Sequence, residues 1–248
     1  EIIDSKKISI NSEGRLIWKD NSIAKLKKGH NYLSPEIEVL ADEAINLETK
    51  VKLENFLKKW FDDYIKEVLG DLINLINQKT NNQYLRALVF QLYEKNGVIK
   101  RSEIDKIVKL IPAEERKKLW SMGIKIGRYH IYLPKMLKPK AVTFRISLWI
   151  LFYNLQEKNE IPKFGLNFII NKNYDQNFLL LCGFEKFKEY FVRIDILEKL
   201  FIKIIENTKD RKFRVNAEMM NLLGCTKENF YKLMGYMNYR KDKSEDTY

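Results

Sequence analysis

Residues 47–78 limit the folds open to this chain more than any other stretch. Leu53, Phe56, Leu57, Trp60, Phe61, Tyr64, Ile65, Val68, Leu69, Leu72, Ile73 and Ile76 recur there every three or four positions. That period predicts one long amphipathic helix. Its apolar face is wide, so it must be buried against more than one neighbour. A chain of 248 residues with 45% hydrophobic residues and only five prolines can supply those neighbours. The composition suits a packed globule of one large domain or two modest ones.

The elements on either side follow from local chemistry. Leu16-Ile17-Trp18 and Ile23 to Leu26 are strand-like runs, and Lys19 to Ser22 between them tolerates a tight turn, which predicts a hairpin. A second helix spans about Gln83 to Lys95 with Leu85, Leu88, Val89 and Leu92 inward, stopped by Asn96-Gly97. Ser102 is read as the N-cap of a helix ending near Ile111. Pro112 opens another, with Glu114 and Glu115 early and Arg116, Lys117 and Lys118 late, the order that a helix dipole favours.

Ile124, Ile126, Tyr129, Ile131 and Leu133 are β-prone, with Gly127 breaking the alternation as at a bulge or bend. From Lys140 a strong helix is predicted to about Asn159. Phe178 to Phe184 reads either as a buried strand or as the end of a helix; Tyr190 to Arg193 reads as a strand, and Asp195 starts a helix. Ala217–Leu223 and Lys227–Met237 form two helices around a Gly224-Cys225-Thr226 turn, a helix-turn-helix-like hairpin over 214–239. Arg240 to Tyr248 is charged and expected to fray.

The resulting fold class is α+β and predominantly α-helical. A β-rich N-terminal element occupies 1–45. A helical body with a short β segment occupies 46–159 and contains a basic stretch at 116–145. A smaller mixed part occupies 160–248.

Charge supplies the functional lead. The net charge is +12, which suggests a polyanionic partner. Bulk charge is weak evidence in a chain rich in Lys, Asn and Ile, a bias that an AT-rich genome can produce. Segregated charge is stronger evidence. Residues Arg116 to Gln156 contain no Asp or Glu, yet hold Arg116, Lys117, Lys118, Lys125, Arg128, Lys135, Lys138, Lys140 and Arg145. Tyr129, His130 and Tyr132 alternate with the central cations. Cations that converge beside aromatic faces can hold phosphates and stack bases of a single strand. The plain alternative is that Tyr129 and Tyr132 pack in the core while the lysines are merely solvated. The candidate nucleic-acid-binding set is Lys125, Arg128, Tyr129, His130, Tyr132, Lys135, Lys138, Lys140 and Arg145.

No self-contained catalytic apparatus is legible. The chain has no GxxxxGK[ST] phosphate loop, GxSxG elbow, HExxH zinc helix or correctly placed GxGxxG. Asp62-Asp63 and Glu114-Glu115 read as solvated or capping residues. Cys182 and Cys225, without a nearby His/Cys cluster, make no zinc site and read as free core thiols in a reducing cytosol, with a disulfide between them as the alternative. The one nucleophile–base pairing left to test is Cys182 with His130. No apolar run reaches the ~18 residues of a membrane span, so a cytoplasmic location without membrane contact is expected. No catalytic or metal-binding residue is assigned.

The runs GRLIWKDNSIAKLKKGHNYLSPEIEVLAD, LRALVFQLYEKNGVIKR and GIKIGRYHIYLPKMLKPKA, with the later YFVRIDILEKL and LLGCT, carry a family likeness. They resemble the C-terminal, post-motor region of alphaproteobacterial superfamily-2 DExH-type helicases related to the mitochondrial RNA-degradation helicase. The likeness spans roughly Gly14 to Tyr239, and LPKMLKP is its most distinctive element; the helical parts are generic. It implies that Glu1 lies at the edge of a piece of a longer protein whose two motor domains come before it. ATP and magnesium would then belong to that parent motor, with no cofactor in this chain. It also implies an α-rich appendage that contacts the motor and guides single-stranded RNA or DNA. The alternative expectation is a docking module whose wide apolar helices bind a partner protein or the motor without touching nucleic acid.

Overall fold

Lys19 and Asp20 both adopt left-handed φ, 47° and 64°, and reverse the chain between Trp18 and Asn21, which pair across the hairpin. The expected turn is therefore present, as a two-residue loop. The computed structural model of the protein describes residues 4–11, 13–40, 46–155, 160–171, 173–242 and 247–248. It is an α+β fold dominated by helices.

Strands β1 (Ile8–Ile10), β2 (Arg15–Trp18), β3 (Asn21–Asn31) and β4 (Ser34–Val39) form an antiparallel meander in that order. Ala24 and Leu26 point inward while Lys25 and Lys27 face solvent, the period-2 pattern of a sheet with one buried face. That face lies on α1 (Leu47–Ile76) and α5 (Pro139–Tyr153). Gly29 is obligatory here, because a Cβ would stand 1.8 Å from the Ser34 carbonyl oxygen.

Helix α1 is capped by the Asn46 side chain, which accepts from the Thr49 amide, and buries Leu57, Phe61, Ile65, Leu69, Leu72 and Leu75. Its fully buried stripe is narrower than the predicted face; Leu53, Trp60, Tyr64, Val68 and Ile73 flank it, half-buried. Leu69 departs from helical dihedrals (φ −117°, ψ 17°) and kinks the helix beside Gly70. Helix α2 (Gln83–Glu94) buries Leu85, Leu88, Val89 and Leu92 as expected.

After Asn96 and Gly97, both with positive φ, come β5 (Val98–Lys100), α3 (Arg101–Leu110), α4 (Ala113–Ser121), β6 (Lys125–Ile126) and β7 (His130–Tyr132). The three strands are antiparallel in the order β5-β7-β6. Helix, strand, two helices and two strands around such a sheet is the connectivity of a winged helix-turn-helix. Ser102 does not cap α3: the helix begins at Arg101, with Lys100 at the cap position and no side-chain cap bond. The end of β5 fixes that start, through the Arg101 amide and the Tyr129 carbonyl at 2.8 Å.

A 3-10 turn at Pro134–Leu137 leads into α5, whose Ala141, Val142, Phe144, Arg145, Ile146 and Leu148 are all buried. Asn154, left-handed at φ 51°, ends α5 earlier than predicted; residues 156–159 of the predicted extension lie outside the described residues. Strand β8 (Phe168–Ile170) is followed by α6 (Gln176–Leu181), β9 (Phe184–Phe187) and β10 (Tyr190–Arg193), which pair in the order β8-β10-β9. The ambiguous run at Phe178 is thus a helix that stops at Gly183 (φ 88°) before a strand. A Cβ on Gly183 would stand 2.8 Å from Leu137.

Helix α7 (Ile194–Glu206), the short β11 (Thr208–Lys209) and β12 (Lys212–Phe213), α8 (Ala217–Leu223) and α9 (Lys227–Tyr236) complete the chain. Met219, Leu223, Phe230, Leu233 and Met234 seal α8 and α9 against α7 in one apolar cluster. Of the tail expected to fray, Tyr248 exchanges backbone hydrogen bonds with Phe213 and stacks on its ring at 5.8 Å, whereas residues 243–246 lie outside the described residues.

Candidate nucleic-acid interface

The acid-free stretch does not form one continuous surface. Its residues fall into three settings, and the first is the interior. Arg145 is 0% exposed. Its guanidinium donates to the carbonyls of Asn96 (2.6 Å), Met136 (2.6 Å) and Leu181 (2.9 Å), and its Nε has no partner. Burial pulls its pKa below the ordinary guanidinium value. Arg145 is therefore no phosphate ligand; it ties α2, the 3-10 turn and α6 together.

His130 and Tyr132 are also inside, at 1% and 4% exposure. They lie on the middle strand of the three-stranded sheet, where consecutive residues are buried and no solvent face exists. Neither can offer a stacking face. Burial pushes the Tyr132 hydroxyl up to about 12. Tyr129 is half-buried and packs edge-on against Phe201 at 5.8 Å. Burial, then a hydrogen bond with Tyr239, raises its pKa as well.

His130 anchors a buried charge network. Its Nε2 lies 2.6 Å from Glu185 on β9, and its Nδ1 lies 3.8 Å from Glu198 on α7. The other Glu185 oxygen takes a 2.6 Å bond from Lys100. The Glu198 carboxylate accepts the amides of Arg128 (2.6 Å), Tyr129 (2.8 Å) and His130 (3.0 Å). Burial alone would lower the imidazole pKa, but the two carboxylates outweigh it and hold it above its ordinary value. Burial likewise opposes ionisation of Glu185 and Glu198; bonds from His130, Lys100 and the loop amides win, and both stand below the ordinary range. Gly127 makes the loop possible, since a Cβ there would meet the Glu198 carboxylate at 2.2–2.5 Å.

In the second setting, exposed cations lean on α1. Lys135 bridges to Asp71 at 2.9 Å; Lys140 bridges to Glu67 at 2.6 Å and stands 4.9 Å over the Tyr64 ring. Lys138 is exposed nearby.

The third setting is the outer face of the winged unit. Lys125 on β6 and Arg128 at the hairpin tip are exposed, with Arg128 5.6 Å over Phe201. Helix α4 adds Arg116, Lys117 and Lys118, and only Leu119 of that helix is buried. Its residues 116, 117 and 120 share one side by helical spacing, and Trp120 there is 76% exposed. From α4 to the hairpin tip, five cations stand against Glu114 and Glu115. Around Lys135, Lys138 and Lys140, three cations stand against Asp71 and Glu67, so the winged face keeps the larger excess.

Trp120 was not singled out from sequence. The usable signal is the adjacent Leu119-Trp120 pair in an otherwise charged helix: neighbours 100° apart cannot both be buried by so narrow a face. Among the described residues no group of three His, Cys, Asp or Glu side chains gathers to hold a cation, and no helix is long and apolar enough to cross a membrane. No disulfide joins Cys182 and Cys225. Cys182 packs with Val142, Ile146 and Phe178, whereas His130 is engaged by two glutamates, so the Cys182–His130 pair does not assemble. Comparison of the chain with family models, curated proteins and solved structures returns no match.

Proposed function

We propose that this chain is a non-catalytic accessory region of an ATP-dependent helicase that holds a nucleic-acid single strand by its backbone, without reading sequence, and supports the motor domains. The observation that carries the reading is the winged connectivity with its exposed excess of cations on α4 and the β6–β7 hairpin. In helix-turn-helix units the second helix is the one that meets nucleic acid, and here that helix is α4. Exposed Trp120 supplies a π-face that any base can use, which favours single strands over a duplex. The likeness to the helicase C-terminal region supports the parent assignment.

The test is binding of labelled single-stranded RNA and DNA across a salt series, with a Lys117→Glu/Lys118→Glu/Lys125→Glu triple variant. Each phosphate contact contributes about −0.7 to the slope of log K against log salt for single strands. A wild-type slope of about −2 to −3 that falls toward zero in the variant is expected. Unchanged affinity in a folded variant overturns the assignment.

A second reading has its own observation. Trp120 and Leu110, at 76% and 54% exposure, end two neighbouring helices, and apolar exposure of that kind suits docking onto a protein. It predicts salt-insensitive association with a partner or the parent motor and no oligonucleotide binding at low salt.

A further inference from the structure

A cavity of about 510 Å3 opens between the start of α3, the β6–β7 hairpin and β9. We infer that it seats one phosphorylated nucleotide unit, its phosphate toward Arg128, Arg101 and Ser102 and its base against Tyr129 and Phe187. The inference rests on the nucleic-acid reading above and adds a specific pocket to it. The volume lies within the ~300–1,000 Å3 typical of small-molecule sites.

The lining is chemically mixed. It carries Lys100, Arg101, Ser102 and Arg128 together with the half-buried residues Tyr129 and Phe187. Cations and flat apolar rings in one cavity match a nucleotide, which has a dianionic end and a planar end. Two carboxylates, Asp105 and Glu185, also line the cavity, and both are bonded to its cations. Lys100 is held by Glu185 at 2.6 Å. Arg101 gives Nε to Asp105 (3.1 Å) and Nη1 to the Gly127 carbonyl (2.7 Å). These bonds fix the Arg101 guanidinium and leave Nη2 without a described partner, free to donate to a phosphate oxygen. A charged donor held in place in this way gives a strong, directed hydrogen bond to an anion. Arg128 makes no described carboxylate bridge and rests over Phe201.

The pocket exists only because two parts of the chain are clamped together. Glu185 and Phe187 come from β9, while Arg128 and Tyr129 come from the hairpin. The His130–Glu185 bond joins those parts, and the Glu198–amide bonds tie the hairpin to α7. A preorganised site of this kind loses little entropy on binding a small ligand.

The experiment titrates the full chain with 5′-AMP, adenosine and inorganic phosphate by calorimetry. It uses wild type, Arg128→Gln, Ser102→Asp and the α4/β6 triple variant. Ser102 is exposed near the start of α3, where an aspartate suits the helix, so Ser102→Asp is expected to fold normally. AMP should bind, and adenosine and phosphate each at least about tenfold more weakly, because each lacks half of the recognition. Ser102→Asp and Arg128→Gln should each weaken AMP about tenfold or more, the former through a carboxylate facing the phosphate.

The triple variant should keep its AMP affinity while losing the strand. No AMP binding by a wild-type chain that binds strands would overturn the pocket and leave the proposed function standing. AMP binding without strand binding would keep the pocket, as a site for free nucleotides, and sink the proposed function. AMP binding that ignores both single substitutions places the nucleotide elsewhere and also overturns the inference.

Discussion

Arg145 and His130 come from the same acid-free stretch, and both end almost completely buried, at 0% and 1% exposure. The fold satisfies them in opposite ways. Arg145 meets three backbone carbonyls and no carboxylate. His130 meets two glutamates, one of which, Glu198 on α7, also gathers three amides of the loop leading into His130. The first arrangement uses dipoles that do not titrate. The second uses charges that do. Basic character in a sequence is thus as much a resource for joining segments as a signal for an outside polyanion.

The largest expected effect lies on the Arg145 side. Arg145→Leu leaves carbonyls from three segments unpaired in the interior. Buried unpaired acceptors cost about 1–3 kcal/mol each, and broken buried charge sites about 3–5 kcal/mol in all. Urea unfolding should therefore show a loss of about 3–5 kcal/mol, or no folded protein. Arg145→Lys should recover part of it, since an ammonium cannot fork to three carbonyls. A loss under about 1 kcal/mol for Arg145→Leu would refute the joining role.

Next comes the loop around Glu198. Gly127→Ala forces a methyl into the carboxylate and should cost about 1–3 kcal/mol, as overpacking does. Glu198→Ala orphans three amides and removes the carboxylate 3.8 Å from His130 Nδ1, for a similar or slightly larger loss. The double variant should be less destabilised than the sum of the two, because Glu198→Ala removes the group that the methyl strikes. Additive losses in a double-mutant cycle would mean that the contact does not govern the loop.

The third effect is the pH response that separates the two sites. His130 has a folded pKa above its ordinary 6.5, so its contribution is complete below 6.5 and is lost as pH rises through the folded value. Glu185 and Glu198 have folded pKa values below their ordinary 4.5, so theirs are complete above 4.5 and are lost as pH falls through the folded values. The network is therefore fully stabilising between 4.5 and 6.5. His130→Gln should flatten the alkaline side of the stability profile, whereas the Arg145 site should be pH-independent over the same window. Lys100 on Glu185 keeps part of the acidic limb in the His130 variant. A wild-type profile with no alkaline decline, or one unchanged in His130→Gln, would count against the clamp.

The helices of this fold were largely legible in the sequence, because each carries its own evidence. The period of α1, the inward Leu85, Leu88, Val89 and Leu92 of α2, and the Gly224 turn between α8 and α9 are all local patterns. The winged sheet was not legible as a unit. Strands β5, β6 and β7 are two or three residues long, too short for a period-2 pattern to register. Its pairing also depends on residues some thirty positions apart, such as Val98 with Tyr132. The helix-turn-helix expectation consequently fell on 214–239 and passed over α3 and α4.

The candidate site was legible only as a region. Charge segregation pointed to 116–145, but no sequence rule could tell that Tyr132, His130 and Arg145 face inward while Trp120 faces out. That sorting is decided by which strand ends up in the middle of a sheet and which helix is left with a single buried leucine.

The smallest effect tests whether the two exposed cation groups differ. Lys140–Glu67 joins two exposed side chains, 53% and 68% exposed, and Lys135–Asp71 joins a lysine 71% exposed to a carboxylate 23% exposed. Exposed pairs contribute at most about 1 kcal/mol, so Lys135→Gln/Lys140→Gln should barely change unfolding. Their local acids also leave a smaller positive excess for a strand. The double variant should weaken strand binding less than the Lys117/Lys118/Lys125 charge reversal does. Charge reversal also adds repulsion, so the matched comparison is Lys117→Gln/Lys125→Gln at one salt concentration. Two lysines are lost from each face in that comparison; α1 is left with Asp71 and Glu67 without those lysines, and α4 with Glu114, which Lys117 reaches at 3.9 Å. If the α1 group still proves the more important, the strand runs along α1 and α5, and α4 with its exposed tryptophan becomes the face that docks on protein.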